Sequence, residues 1–484
     1  MTILSFGADA SSKYYNTYTN TSPSLVHSDS FQRRHIAMPA DSVRNDNPSL
    51  GKDTISQSET TNSQNKNLAN AQNNRRMAYA LKKTSAKLLP AERVADCFGK
   101  RISADKGIGV RINKNTGKAS YTNLLLCGSV WVCPCCSARI LAKRGDEVEK
   151  GVNTWTEAGG SVFMLTLTHS HKRLENLNKK VKLLRKALSR FFGDRAMKAV
   201  FEQFGKVGQI KALETTYSET NGWHPHHHIL MFSKMSPDEF LGDTVSVTYD
   251  KNGYVQYVSL EREEKLIARG RIDDIKQITF EEFIKNYWVK ICRAVGLGAP
   301  SIQRGATIQD AGAVKTYLTK FKTAQELTNA QAKKGKGDSR NQWEILADAH
   351  EGCERSAKLW QIYAAAFKGE KQLNWSRGLK DMLLIDDITD DEIEELAATK
   401  EDEYIDILQL GVEDWGFIRK KNWESGLLDI VENDYRDDTD NLNIFIYSVK
   451  KLREIERADR EQKERERIAN LYPPQWFDGV PDIA

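Results

Sequence analysis

Trp223-His224-Pro225-His226-His227-His228-Ile229-Leu230-Met231-Phe232 gathers four of the chain's nine histidines immediately before an unbroken apolar run. Ile229 to Phe232 are strand formers without a polar break, which predicts a buried strand in the middle of a sheet. Side chains alternate along such a strand, so His226 and His228 share a face about 7 Å apart along the backbone, a spacing at which two imidazoles can hold one divalent metal. His224 has the same parity, although Pro225 can bend the chain between them. His227 faces the other way. The competing reading is a histidine-rich surface edge that binds nothing.

The residues just upstream supply a third ligand. A strand over about 207–217 leads through Ser218-Glu219-Thr220-Asn221-Gly222 into the histidines, and Asn221-Gly222 is a hairpin signal. A three-residue loop, Thr220-Asn221-Gly222 with Gly222 left-handed, sets Glu214 opposite His228 on the metal face. A two-residue Asn-Gly loop would set Glu214 opposite Ile229 and turn its carboxylate away. The first is expected, because one carboxylate beside two neutral imidazoles makes an oxygen and nitrogen donor set suited to magnesium or manganese.

Further upstream, Val162 to Thr168 has the content of a buried strand. The helix after it places Leu177, Val181, Leu184, Leu188 and Phe191 on one face, with Lys179, Lys182, Arg185, Lys186 and Arg190 opposite. Five of the seven cysteines fall between Cys97 and Cys136. Cys133 and Cys136 form a CxxC knuckle, and with Cys127 and Cys97 they can complete a tetrahedral site for structural zinc, closed to chemistry because all four positions are protein ligands. Cys135 competes with its neighbour for the assignment. Arg101, Arg111, Arg139 and Arg144 around the knuckle can meet phosphates. Residues 1–73 lack a sustained period and read as disordered. Arg75-Arg76, Lys82-Lys83 and Lys87, interleaved with apolar residues, begin a basic helix.

Downstream, 245–249 and 254–260 read as a second hairpin, and Thr279 with Glu282 as a capping box. Residues 311–322 read as a helix with Tyr317 and Lys320 one turn apart. A tyrosine hydroxyl can attack a phosphodiester when a metal polarises the phosphate and a cation steadies the developing charge. Lys315 and Lys322 flank it as phosphate contacts. The 484-residue chain carries a formal charge of +5, unevenly spread: 75–380 is rich in lysine and arginine, and 386–406 is acidic. That suits a polyanion-binding centre with an acidic appendage. No apolar window reaches the roughly 18 residues of a membrane span, so the chain is expected to be soluble and intracellular, without a membrane partner.

Together these motifs resemble the rolling-circle plasmid replication initiators, single-tyrosine members of the HUH endonuclease superfamily. The resemblance covers roughly residues 90–380. It rests on Cys127-Gly-Ser-Val-Trp-Val-Cys-Pro134, Phe163-Met-Leu-Thr-Leu-Thr168, Leu213-Glu-Thr-Thr, the histidine cluster and Lys315-Thr-Tyr-Leu-Thr-Lys320, with 340–347 and 369–379 also similar. It implies an α+β fold, an antiparallel sheet with flanking helices behind a cysteine-rich zinc module. The expected organisation is 1–73 disordered, 74–150 zinc module, 151–380 nicking domain with a helical extension, and 381–484 an acidic and charged helical region. It also implies a chemistry. His226, His228 and Glu214 hold Mn2+ or Mg2+; Tyr317, assisted by Lys320, attacks single-stranded origin DNA and becomes linked to the 5′ phosphate; Lys315, Lys322 and Arg139 hold DNA. The 3′ hydroxyl primes synthesis by a host polymerase, a host helicase unwinds the duplex, and the displaced strand is rejoined. Two positions depart from the pattern: His227 stands where a hydrophobic residue is usual, and Ala313 where several relatives carry a glutamate that activates termination, leaving Asp310 as a remote substitute. The alternatives are a single-tyrosine transposase or mobilisation relaxase, and a non-catalytic zinc-containing DNA-binding regulator.

Overall fold

A computed structural model describes residues 56–240, 243–310, 312–316, 339–387 and 403–471. The chain divides into Met1–Ser58 and Glu59–Ala484, and every strand among the described residues lies in the second unit. Of the segment expected to be disordered, 1–55 lies outside the described residues, and from Ser56 the chain is helical. The fold is α+β. Its strands are β1 (Ile108–Asn113), β2 (Ala119–Thr122), β3 (Ser161–Leu167), β4 (Lys206–Ser218), β5 (Gly222–Ser233), β6 (Thr244–Tyr249), β7 (Val255–Tyr257), β8 (Lys276–Thr279), β9 (Ala306–Gln309), β10 (Leu373–Trp375) and β11 (Tyr404–Leu410). Helices α1 (Ser56–Leu88), α2 (Pro134–Glu157), α3 (Leu177–Gly193) and α4 (Arg195–Gln203) occupy the first half. No helix among the described residues is long and apolar enough to cross a membrane.

The main sheet has the order β10-β4-β5-β3-β9, all antiparallel, so the histidine strand β5 is its centre. Ile229, Met231 and Phe232 are fully buried, as an apolar run on a central strand requires. On the odd-numbered face Trp223 stacks on Tyr363 of the helix Glu354–Phe367 and tilts against Tyr217, which closes that face and leaves the even-numbered face to His226 and His228. Helix α3 buries the expected Leu177, Val181, Leu184, Leu188 and Phe191, and Lys180 with them, while Lys179, Lys182, Arg185, Lys186 and Arg190 remain exposed. The second hairpin forms as β6 and β7, joined by β8 into a small sheet. Thr279 and Glu282 close a capping box on the helix Phe280–Val295.

One expectation is corrected. Strand pairing in the β4–β5 hairpin ends at Ser218 and Gly222, so the connecting residues are Glu219, Thr220 and Asn221, and Glu214 lies opposite His226 rather than His228. Glu219 is drawn out of the ladder by ion pairs to Arg340 and Arg355, and the Ser218 hydroxyl accepts from the Asn221 N–H. Gly222 is left-handed, with φ +76°. Because the register moved by two residues, Glu214 keeps its face.

Segments far apart in the chain meet in a second sheet, of order β11-β1-β2. Segment 381–484, expected as a region of its own, supplies β11 to β1 of the cysteine-rich part. The basic run of α1 meets acidic residues here too. Arg75 bonds Asp429 at 3.2 Å and Glu432 at 2.5 Å, Arg76 bonds Asp429 at 2.9 Å and Lys83 bonds Glu424 at 2.8 Å. Burial pushes the Asp429 carboxyl above its ordinary range, so its charge depends on these cations. Arg75→Ala removes the cation from Glu432, whose side chain is 3% exposed and keeps the Ala119 N–H as a donor, and should destabilise the protein by about 3 kcal/mol in denaturant unfolding; a loss under about 1 kcal/mol would show that Glu432 does not depend on this cation.

Candidate metal centres

Glu214, His226 and His228 converge on the even-numbered face. Oε2 of Glu214 is 4.0 Å from Nε2 of His226 and 3.7 Å from Nε2 of His228. Two ligands bonded to one ion at about 2.1 Å are at most about 4.2 Å apart, so both carboxylate–imidazole separations suit a single divalent cation, and the three ligand atoms lie within 4.8 Å of one another. The second ring nitrogens fix which atoms face it. Nδ1 of His226 lies 3.0 Å from the His224 carbonyl, which can only accept, so in the neutral ring Nδ1 carries the proton and Nε2 keeps its lone pair. Nδ1 of His228 lies 2.9 Å from the Thr166 hydroxyl of neighbouring β3, directly across the ladder. Thr166 thus orients the His228 ring, a role that its own sequence position does not announce. The donor set of one carboxylate and two imidazoles can hold a divalent cation.

More imidazoles extend this group. His224 is stacked between His226, at 5.0 Å, and His171, at 4.4 Å, with His169 at 6.0 Å. Burial, then the neighbouring His226, His171 and His169, holds the His224 imidazole down at about 3, and burial holds His169 at about 4. Both are neutral near pH 7, so the cluster does not repel a cation. His227 points to the opposite face, where burial pushes it down to about 3. His169 and His171 form the pair in Thr168-His169-Ser170-His171, whose signal was two histidines just past a strand.

The cysteines form a second group. Cys97 follows the short turn Arg93–Asp96, Cys127 sits in a loop, Cys133 caps α2 and Cys136 lies in its first turn. The Sγ separations Cys97–Cys133, Cys97–Cys136 and Cys127–Cys136 are each 3.7 Å. A zinc–sulfur tetrahedron with bonds of about 2.3 Å has edges of about 3.8 Å, whereas a disulfide would need about 2.05 Å. The geometry therefore fits a four-thiolate metal site, with all four residues buried. Cys135 is buried outside the group. The Cys97 thiol is drawn below the ordinary range by hydrogen bonds from Cys127, Cys133 and Cys136.

Other expected contacts fare differently. Arg111 is buried with its guanidinium 3.9 Å over the Tyr404 ring, so it is withdrawn from phosphates. Arg144 bonds Glu147, and Arg101 bonds the carbonyls of Ala104 and Lys106. Arg139 lies half-buried on α2. Lys315 is exposed within the helical stretch 312–316. Asp310 caps that stretch, its carboxylate accepting from the N–H groups of Gly312 and Ala313, and so it is engaged where it stands. Tyr317, Lys320 and Lys322 lie outside the described residues.

Comparison with known proteins adds independent findings. Residues 123–243 match a family described as replication protein, a stretch that holds Cys127, Cys133, Cys136, Glu214, His226 and His228 and ends before Tyr317. A protein named "Protein rep" from Streptomyces lividans is 25% identical over 340 residues, 59% of this chain and 70% of the relative. A "Neomycin resistance protein" from Streptomyces cyanogenus is 30% identical over 139 residues, 24% of this chain and 32% of the relative. No solved structure matches. The resemblance to plasmid replication initiator proteins, drawn from the motifs, therefore stands.

Proposed function

We propose that this chain, taken as a replication protein on the match over 123–243, initiates rolling-circle replication by nicking one strand of its plasmid origin. The observation that carries the reading is the convergence of Glu214, His226 and His228 on the open face of a central strand, with Nε2 of His226 aimed at the carboxylate by its partner on Nδ1. A divalent cation bound there supplies Lewis-acid polarisation of one phosphate. Glu214 and the two imidazoles would hold that cation, and Thr166 and the His224 carbonyl keep the rings from turning.

In this reading Tyr317 is the nucleophile. Its oxygen bonds to phosphorus as the bond to the 3′ oxygen breaks, giving a 5′-phosphotyrosine and a free 3′ hydroxyl. Lys320 balances the charge that develops on the phosphoryl group, while Lys315, Lys322 and Arg139 hold neighbouring phosphates. The bond energy kept in the phosphotyrosine permits rejoining of the displaced strand, and a host helicase and polymerase would do the unwinding and synthesis. The sheet β10-β4-β5-β3-β9 serves as the nicking domain, with HUH architecture. The Cys97, Cys127, Cys133 and Cys136 site takes zinc and has a structural role.

The test is a nicking assay on supercoiled plasmid carrying the gene and its flanks, with manganese or with a chelator. Wild-type protein should convert the plasmid to open circles only with metal, and Tyr317→Phe should abolish conversion while leaving DNA binding intact. Nicking by Tyr317→Phe at the wild-type rate would remove this tyrosine from the mechanism. Specific binding without any nicking would favour a regulator instead.

A further inference from the structure

A nuclease that cuts a single strand has to meet a duplex that is already open or open it itself. The loop from β3 to α3 carries the means for the second. Leu174 is 94% exposed, the most exposed large apolar side chain among the described residues, and it directly follows exposed Lys172 and Arg173. Single exposed leucines are ordinary on mobile surfaces. This one stands on a braced loop.

The bracing is extensive. The Ser170 N–H donates to the Gly298 carbonyl at 3.3 Å, and the buried Lys180 ammonium reaches the carbonyls of Ser170 at 3.2 Å and Leu297 at 3.1 Å. Glu175 ties the tip from both sides: it bonds Lys180 at 3.0 Å, accepts from the Lys172 N–H at 2.6 Å, and its own N–H donates to the Lys172 carbonyl. The β4–β5 hairpin presses on the same loop, since a Cβ on Gly222 would lie 2.7 Å from the Arg173 carbonyl oxygen. Only glycine fits there. The loop also abuts the metal centre, because His171 stacks on His224 and His224 on the ligand His226.

From this placement we propose that Leu174 is a wedge that enters the base stack of duplex DNA beside the scissile phosphate, with Lys172 and Arg173 gripping the flanking backbone. Apolar side chains inserted between base steps unstack and kink a duplex, and adjacent cations offset the phosphate repulsion around the entry point. A rigid loop loses no further entropy when it inserts. The inference rests on the nicking reading, and it adds how the single-stranded substrate arises.

Leu174→Ala protein is compared with wild type on two substrates, single-stranded oligonucleotides tiling the gene and its flanks and the supercoiled plasmid that carries them. Permanganate reactivity of thymines in the plasmid reports unpairing independently of cleavage. The expected result is single-strand nicking within about twofold of wild type, plasmid nicking reduced about tenfold or more, loss of the reactive thymines, and recovery of both in Leu174→Phe. Equal behaviour of variant and wild type on the plasmid overturns the wedge. So does an equal loss on both substrates, which would make Leu174 a contact to the single strand or to another partner. If wild-type protein nicks neither substrate, the nuclease reading fails on its own. Permanganate then decides the wedge: reactive thymines with wild type and none with Leu174→Ala keep it, and any other pattern overturns it.

Discussion

Alanine at His226 or at His228 should leave the protein folded and lower metal-dependent nicking by about a thousandfold, the scale of the several kcal/mol that a Lewis acid contributes to phosphoryl chemistry. Both imidazoles face the open side of the sheet, with side chains 12% and 18% exposed, so truncation removes a ligand without opening the core. Manganese at high concentration should recover part of the His228→Ala activity, because two donors of the three remain. Thr166→Val tests the layer behind the ligand. Losing the hydroxyl that meets Nδ1 of His228 should weaken the apparent metal affinity roughly tenfold and leave the rate at saturating metal close to wild type. The readout is nicking rate against metal concentration. A His228→Ala protein that nicks within about tenfold of wild type would remove the histidines from the chemistry.

Cys133→Ser should release the zinc and unfold the cysteine-rich part of the chain, the second large effect expected. Structural zinc contributes about 10 kcal/mol or more to small zinc-binding folds, far above what a few buried side chains provide. Cys133 is fully buried at the start of α2, and its three partners are held by a turn, a loop and that helix. Zinc content per chain and thermal unfolding measure the outcome. Cys135→Ser is the control, since Cys135 is buried but outside the group of four and should keep both zinc and stability. Equal zinc content in wild type and Cys133→Ser would show that the cluster is not a metal site.

What the sequence made legible was local. A period of two placed His226 and His228 on one face, and a CxxC turn drew Cys133 and Cys136 together; both patterns are dictated by backbone geometry within a few residues. The hairpin register slipped by two because Glu219 answers to Arg340 and Arg355, far along the chain. The pairing of β11 with β1, and the meeting of Arg75 with Asp429 and Glu432, join segments about 300 or more residues apart and leave no local trace. Arg111 illustrates the same limit: its sequence neighbours suggest a phosphate contact, and its fate is decided by Tyr404. The stack of His171 on His224 likewise depends on a loop and a strand that only the tertiary fold makes adjacent.

The most direct measurement is the identity of the residue joined to DNA. Wild-type protein is incubated with manganese and the supercoiled plasmid, denatured, digested, and the peptide that carries nucleotide identified by mass. The nicking mechanism predicts one adduct, a 5′ phosphate on Tyr317, absent when His226 is replaced by alanine. An adduct on any other residue, or nicked plasmid with no protein attached, would contradict it.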